Sequence, residues 1–339
     1  MNPAPSHGGR LIEAMQRHPE ITDWLDLSTG LNPQPWQPPD IPLAVWHRLP
    51  EPNDGLEASA KAYYQCDALL PVAGSQMAIQ ALPQLRRQLC GIANVAVLDF
   101  SYQEHGYRWA LSGHRVERFA SFPLDDLAWL DHIDVLVVIN PNNPTAQRWT
   151  PEQLLRWHTH LARRDGWLIV DEAFIDTQPA HSVSSDAPHL NGLIVMRSVG
   201  KFFGLAGLRA GFVITEPTLL DQLAQFIGPW ALSGPARYIL QQALIDMQWQ
   251  NEAKESLETL SNNLFNILLS KGFKETRKTD LFITADTPNA KEIADKLEQQ
   301  GILVRLFAEQ RQLRFGLPAS PEQFLRLENA LDRLAKRSI

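Results

Sequence analysis

Residues 198–211, Ser-Val-Gly-Lys-Phe-Phe-Gly-Leu-Ala-Gly-Leu-Arg-Ala-Gly, put a hydroxyl, an amine and a guanidinium into one short loop. Lys201 follows an apolar run directly and has glycines around it at 200, 204, 207 and 211, a poor setting for a solvated surface charge. Ser198 and Arg209, at −3 and +8 from the lysine, offer donors suited to a single phosphate group. Further polar residues stand where apolar runs stop: Tyr102 after NVAVLDF, Asn143 after DVLVVIN, Asp171 after WLIV, and Gly74-Ser75-Gln76 at the opening of a helix. In an open parallel sheet, ligands bind beyond the carboxyl ends of the strands, so these positions converge on one region. Arg305 in ILVRLF and Arg314 in LRFG are cations set among apolar neighbours.

The elements that must position these residues follow from periodicity. Short runs rich in Val, Ile and Leu at 94–100, 116–119, 134–140, 167–174, 193–200 and 208–214 alternate with helical spacings, the pattern of a parallel sheet covered on both faces. The expected fold is therefore α/β, a large domain over 54–234 with a mostly parallel sheet between helices. A proline-rich arm over 1–53 precedes it, with one amphipathic stretch from Leu11 to His18. Beyond it, a helical region from Pro235 to about Leu269 leads into strand-like 281–286, 302–307 and 313–317. These, with the arm, predict a small α+β domain over 235–339, joined near 229–235 by a hinge on a helix.

Composition narrows the function. Thirty-one basic and 38 acidic residues give a net charge of −7 with no block of Lys and Arg, which argues against nucleic acid as a partner. No apolar run reaches the roughly 18 residues of a membrane span, and MNPAPSHGGR has neither the charge nor the apolar core of a secretion signal. Cys66 and Cys90 form no metal-ligand spacing and no disulfide framework, so no metal is expected and a reducing cytoplasm is the expected location. Ten tryptophans recur at no fixed period, so no repeat architecture is expected.

Asn143, Asp171, Lys201 and Arg209, at successive spacings of 28, 30 and 8 residues, resemble the fold-type I pyridoxal-phosphate enzymes of the aminotransferase class I and II group. Gly74-Ser75-Gln76 and Tyr102 extend the resemblance over nearly the whole chain. It implies pyridoxal 5′-phosphate as cofactor, bound covalently through Lys201, whose amine must be held neutral to act. Asp171 would face the pyridinium nitrogen and keep it protonated, making the ring an electron sink. Asn143 would hydrogen-bond the ring oxygen, with Asn140 and Asn142 left as turn formers, and Tyr102 would stack on the ring. The N–H groups of Ser75 and Gln76, with Ser198 and Arg209, would hold the cofactor phosphate. Two departures stand out: Phe174 where many members have a tyrosine donor, and Thr145-Ala146 where glycine is common.

Within the group, His7-Gly-Gly, Ser28-Thr-Gly-Leu-Asn32-Pro, Leu49-Pro-Glu-Pro and Asp171-Glu-Ala-Phe-Ile-Asp176 look like the threonine-phosphate decarboxylases of cobalamin synthesis. The resemblance implies a phosphorylated amino acid as substrate, bound by His7, Asn32, Arg305 and Arg314, and a homodimer crossed by the arm. Relatives often carry a tyrosine where this chain has Leu49. The alternatives are a histidinol-phosphate aminotransferase and an inactive regulatory scaffold, the latter disfavoured by the presence of Lys201 and Asp171. Decarboxylation and transamination differ in which bond to Cα is held perpendicular to the ring, an orientation set by substrate binding. If the arginines take the phosphate, the carboxylate can turn perpendicular; if Arg314 takes the carboxylate, the Cα–H bond does.

Overall fold

The computed structural model describes residue 5 and residues 7–338; the other residues of the arm, 1–4 and Ser6, lie outside the described residues. Twelve strands run through the described chain: β1 (Leu25–Leu27), β2 (Leu70–Val72), β3 (Asn94–Leu98), β4 (Arg115–Phe119), β5 (Val135–Ile139), β6 (Trp167–Asp171), β7 (Leu193–Ser198), β8 (Gly211–Ile214), β9 (Glu275–Lys278), β10 (Phe282–Asp286), β11 (Ile302–Phe307) and β12 (Gln312–Gly316). They form two sheets in two compact units.

The first unit, residues 36–143 and 147–247, holds a seven-stranded sheet of order β2-β8-β7-β6-β5-β3-β4. Only β8 runs against its neighbours. Val135–Ile139 and Trp167–Asp171 are buried at every position, as central strands of a sheet covered on both faces must be. One covering layer is the helix Ser75–Cys90, whose Ile79, Leu82 and Leu85 join Val97, Val137 and Ile169 in the core, beside Leu219 and Leu223 of the helix Pro217–Ile227. The helix Pro151–Ala162 starts where Thr150 and Gln153 form a reciprocal capping box.

The second unit comprises residues 7–35, 144–146 and 248–338, with a five-stranded sheet of order β1-β11-β12-β10-β9. β1 pairs in parallel with β11, Leu25 to Leu27 opposite Ile302 to Val304, so the arm completes a sheet otherwise made by the C-terminal region. The helices Met247–Ser270, Ala290–Glu298 and Pro321–Ser338 belong with it.

The boundaries differ from those read in the sequence. Residues 36–53 belong to the first unit and residues 7–35 to the second, and the division near the middle falls after 247 instead of 234. The reason is local. The helix Gly234–Ala243 is tied to the helix Leu56–Tyr64 through Arg237, whose Nε donates to Asp54 at 2.7 Å and whose Nη2 donates to Glu57 at 2.7 Å. The helical region from 235 to 269 is two helices broken at 244–246, and no helix crosses 229–233.

Candidate active site

The carboxyl ends of β3, β5, β6 and β7 carry, in turn, Tyr102, Asn143, Asp171 and Ser198, so one edge of the first unit's sheet collects the predicted residues. Asp171 is buried at 4% exposure. Its Oδ1 accepts from Ala173 N–H at 3.1 Å, and its Oδ2 lies 2.9 Å from His105 Nε2. Lys201 is half-buried in the short helix Val199–Phe202, its Nζ 5.4 Å from the centre of the Phe174 ring. At the position where a tyrosine would place a hydroxyl, the amine thus faces an aromatic ring.

Gly74 precedes the helix Ser75–Cys90 with φ +73°, a conformation that favours glycine. A Cβ there would stand 3.1 Å from the guanidinium of Arg209, which brings the start of that helix and Arg209 together. Gly211 is equally confined: a Cβ would lie 2.5 Å from the Arg197 carbonyl and 2.9 Å from Ser75 N. Arg209 itself adopts φ +52° and its Nη1 donates to the Ala206 carbonyl at 3.1 Å. Helix N–H groups, the Ser198 hydroxyl and an exposed guanidinium form a donor set for a phosphate, which glycines at 74 and 211 keep open. An amine, a buried carboxylate and a phosphate cradle are the groups pyridoxal phosphate requires, so these residues fit it.

Asn140 and Asn142 hold the loop after β5. Asn140 bonds Trp149 through both ends of its amide, at 3.1 Å each, and Asn142 Nδ2 donates to the Phe100 carbonyl at 3.0 Å. Asn143 is half-buried between them and the loop end. Ala146 has φ +59°, so the departure from glycine there places a Cβ in a left-handed conformation.

In the second unit, Arg305 and Arg314 are direct register partners across β11 and β12. Arg314 is buried, donates from Nη2 to the Ser28 carbonyl at 2.8 Å and stacks 5.4 Å from the Phe282 ring. Burial and the charge of Arg305 push its pKa down to about 10; burial, with Arg10 nearby, also lowers that of Arg305. Both shifts mean that this surface gains by receiving an anion. The His7-Gly8-Gly9 turn lies against it: Gly9 N–H donates to Ser28 Oγ at 2.9 Å, and a Cβ on Gly8 would meet the Ser28 carbonyl at 2.6 Å. Asn32 is buried, and its Oδ1 accepts from Gln34 N–H at 2.9 Å, which fixes the plane of its amide.

Some contributors escaped the sequence reading. His105 stands three residues after Tyr102 in the first turn of the helix Glu104–Leu111, with no pattern to single it out. Arg197, next to Ser198, is buried between Glu172 Oε2 at 3.0 Å and Asp176 Oδ1 at 2.9 Å, clamping β7 to the segment after β6. Tyr63 donates to the same Asp176 oxygen at 3.0 Å.

The sequence of residues 23–334 matches the family described as aminotransferase class I and II. The chain belongs to that family. Among family relatives, it is 46% identical to the threonine-phosphate decarboxylase of Pseudomonas aeruginosa, over 96% of each chain. It is 38% identical to the threonine-phosphate decarboxylase of Sinorhizobium sp., over 97% of this chain and 98% of that one. The structure of the Sinorhizobium meliloti histidinol-phosphate aminotransferase in complex with pyridoxal-5′-phosphate shares the fold, with a TM-score of 0.79 at 19% identity over 98% of each chain. The L-threonine-O-3-phosphate decarboxylase of Porphyromonas gingivalis shares it too, with a TM-score of 0.76 at 19% identity over 92% of this chain and 100% of that one.

Proposed function

We propose that the protein is a pyridoxal-phosphate-dependent lyase that decarboxylates L-threonine O-3-phosphate to 1-amino-2-propanol O-phosphate, a step of cobalamin synthesis. The observation that carries this reading is the 46% identity, over nearly the full length of both chains, to a protein named threonine-phosphate decarboxylase. Relatives named histidinol-phosphate aminotransferase match less of the chain, 34% of it at 37% identity and 64% of it at 29%. An inactive scaffold is disfavoured because Lys201 and Asp171 are both in place.

When bound, the cofactor draws electrons from whichever bond to Cα stands perpendicular to its ring. Asp171, oriented by His105, keeps the ring nitrogen protonated. Ser75 and Gln76 N–H, Ser198 and Arg209 would hold the cofactor phosphate, Asn143 would bond its ring oxygen, and Tyr102 would supply a stacking surface. Arg305 and Arg314, with His7 and Asn32, would take the anions of the substrate. Lys201 Nζ returns a proton to Cα once carbon dioxide has left.

The proposed working form is a homodimer. Leu43, Trp46 and Leu49 are 68%, 59% and 63% exposed, an apolar surface suited to a second copy at the place where relatives reach across with a tyrosine. Light scattering at twice 38.2 kDa supports this; an active monomer opposes it. No helix among the described residues is long and apolar enough to cross a membrane. With Cys66 and Cys90 both free thiols, a cytoplasmic location is proposed.

The deciding experiment incubates the protein with pyridoxal phosphate and threonine phosphate. Carbon dioxide release without added 2-oxoacid is the expected result. Turnover that requires a 2-oxoacid moves the aminotransferase reading to first place, and a visible absorption band unmoved by substrate favours the scaffold.

A further inference from the structure

Glu104 is only 3% exposed in the first turn of the helix Glu104–Leu111, a setting in which a carboxylate is costly unless its oxygens are satisfied. Its Oε2 accepts from two donors, Gln76 Nε2 at 2.8 Å and Arg108 Nε at 2.9 Å. The contact with Arg108 alone would be an ordinary helical i,i+4 pair. Gln76 makes it more than that. The same amide presents its Oε1 to the Tyr102 hydroxyl at 3.4 Å. A carboxylate can only accept, so it holds the amide by its NH₂ end and forces the carbonyl to point toward Tyr102. Burial, with the charges of Glu104 and Asp171, pushes the tyrosine pKa up to about 12, so its hydroxyl keeps the proton it donates.

The series Arg108, Glu104, Gln76, Tyr102 therefore has a fixed polarity that converges on Glu104, with Tyr102 donating to Gln76 and both Gln76 and Arg108 donating to the carboxylate. It ends on the ring read as the stacking surface of the cofactor. It passes through a residue of the first helical turn whose backbone is read as a phosphate contact. The next residue, His105, meets the same tyrosine edge-on, with ring centres 6.2 Å apart at 80°, and contacts Asp171. We propose that Glu104 is a positioning residue that, through the side-chain amide of Gln76, sets the hydroxyl and ring plane of Tyr102 for cofactor stacking. This rests on the pyridoxal-phosphate reading of the site.

The test is a double-mutant cycle on the full-length protein, with Glu104→Ala and Tyr102→Phe singly and together. It is read by titrating apoprotein with pyridoxal phosphate and by the visible circular dichroism of the saturated form. Glu104→Ala is expected to raise the cofactor dissociation constant about five- to thirtyfold and to halve the dichroic band, roughly. In the Tyr102→Phe background, the same substitution should change the constant by less than about twofold, because the route is already cut. A merely structural glutamate would weaken binding equally in both backgrounds, and that result overturns the proposal. Should Glu104→Ala fail to fold by far-ultraviolet dichroism, Glu104→Gln replaces it in the cycle, with a smaller loss expected and the same non-additivity. A wild type that takes up no pyridoxal phosphate would sink the cofactor reading itself. Normal uptake with additive variants would remove only the role of Glu104.

Discussion

His105 Nε2 lies 2.9 Å from Asp171 Oδ2, with both side chains buried, so the carboxylate assigned to the cofactor nitrogen is held by a ring from a neighbouring helix. Asp171→Asn should keep some cofactor but lose most activity, since a neutral amide cannot hold the nitrogen protonated. A loss of about a hundredfold or more in kcat is expected for removing a charge contact in a dry site. His105→Ala, which leaves the charge and frees its orientation, should cost about ten- to a hundredfold. Steady-state kinetics at saturating cofactor check both. A histidine variant within about twofold of wild type would show that Asp171 needs no support.

Lys201→Ala should abolish turnover, because no amine remains to exchange with substrate or return a proton. Borohydride reduction of the wild type, followed by peptide mass spectrometry, should find the cofactor on Lys201. An adduct on another lysine would end the assignment.

Arg305→Ala and Arg314→Ala should each raise the KM for threonine phosphate, by about tenfold to a thousandfold, as expected for removing one partner of a charged hydrogen-bonded pair. Unphosphorylated threonine separates their roles: an arginine that holds phosphate should matter much less for it. If Arg314→Ala weakens threonine and its phosphate equally, Arg314 binds the carboxylate and Cα–H cleavage becomes the favoured geometry.

Phe174→Tyr should lower the pKa at which the visible band of the cofactor-loaded protein titrates, by about one unit. The new hydroxyl would donate to the ring oxygen that otherwise accepts a bond from the Lys201 nitrogen, leaving that nitrogen less basic. A spectrophotometric pH titration reads the shift directly. An unchanged midpoint would mean that the tyrosine hydroxyl does not reach the ring.

Residue type and order suggested the cofactor side of the candidate site, because Asn143, Asp171 and Lys201 each end or follow an apolar run that forms a buried strand, and Arg209 stands just before another. The same logic found β3 to β8 but passed over β1, β2 and β9, which have three, three and four residues and too few side chains to show a period. His105, Glu104 and Arg197 were illegible for a different reason. Their partners lie 66, 28 and 25 residues away in sequence, and only the packing of strands and helices brings those groups within reach. The boundary at 234 failed because Arg237 belongs energetically to Asp54 and Glu57, a pairing no local pattern announces.

That pairing makes its own prediction. Burial alone would raise the Asp54 pKa, but the hydrogen bonds from Arg237 and from Leu56 N–H, together with the Arg237 charge, outweigh it and hold the carboxyl below its usual value. A carboxylate with a lowered folded pKa contributes stability above its unfolded pKa of about 4, and loses it as pH falls through the folded value. Arg237→Ala should cost about 1–3 kcal/mol at neutral pH, discounted for the partial exposure of both carboxylates. Thermal melts at pH 7 and pH 3 should show the gap between wild type and variant narrowing in acid. A gap of constant size would mean the arginine stabilises by packing alone.

The parallel pairing of Leu25–Leu27 with Ile302–Val304 has a consequence for synthesis. On the ribosome, the segment that forms β1 emerges early, yet the strand it must join is translated on the order of tens of seconds later at typical elongation rates. The nascent chain can bury the sheet of residues 94–214 in the meantime, while its own beginning waits without a partner. Shortening the gene at its far end would thus release residues near its start, and a protease added to stalled chains should cut first between residues 18 and 35.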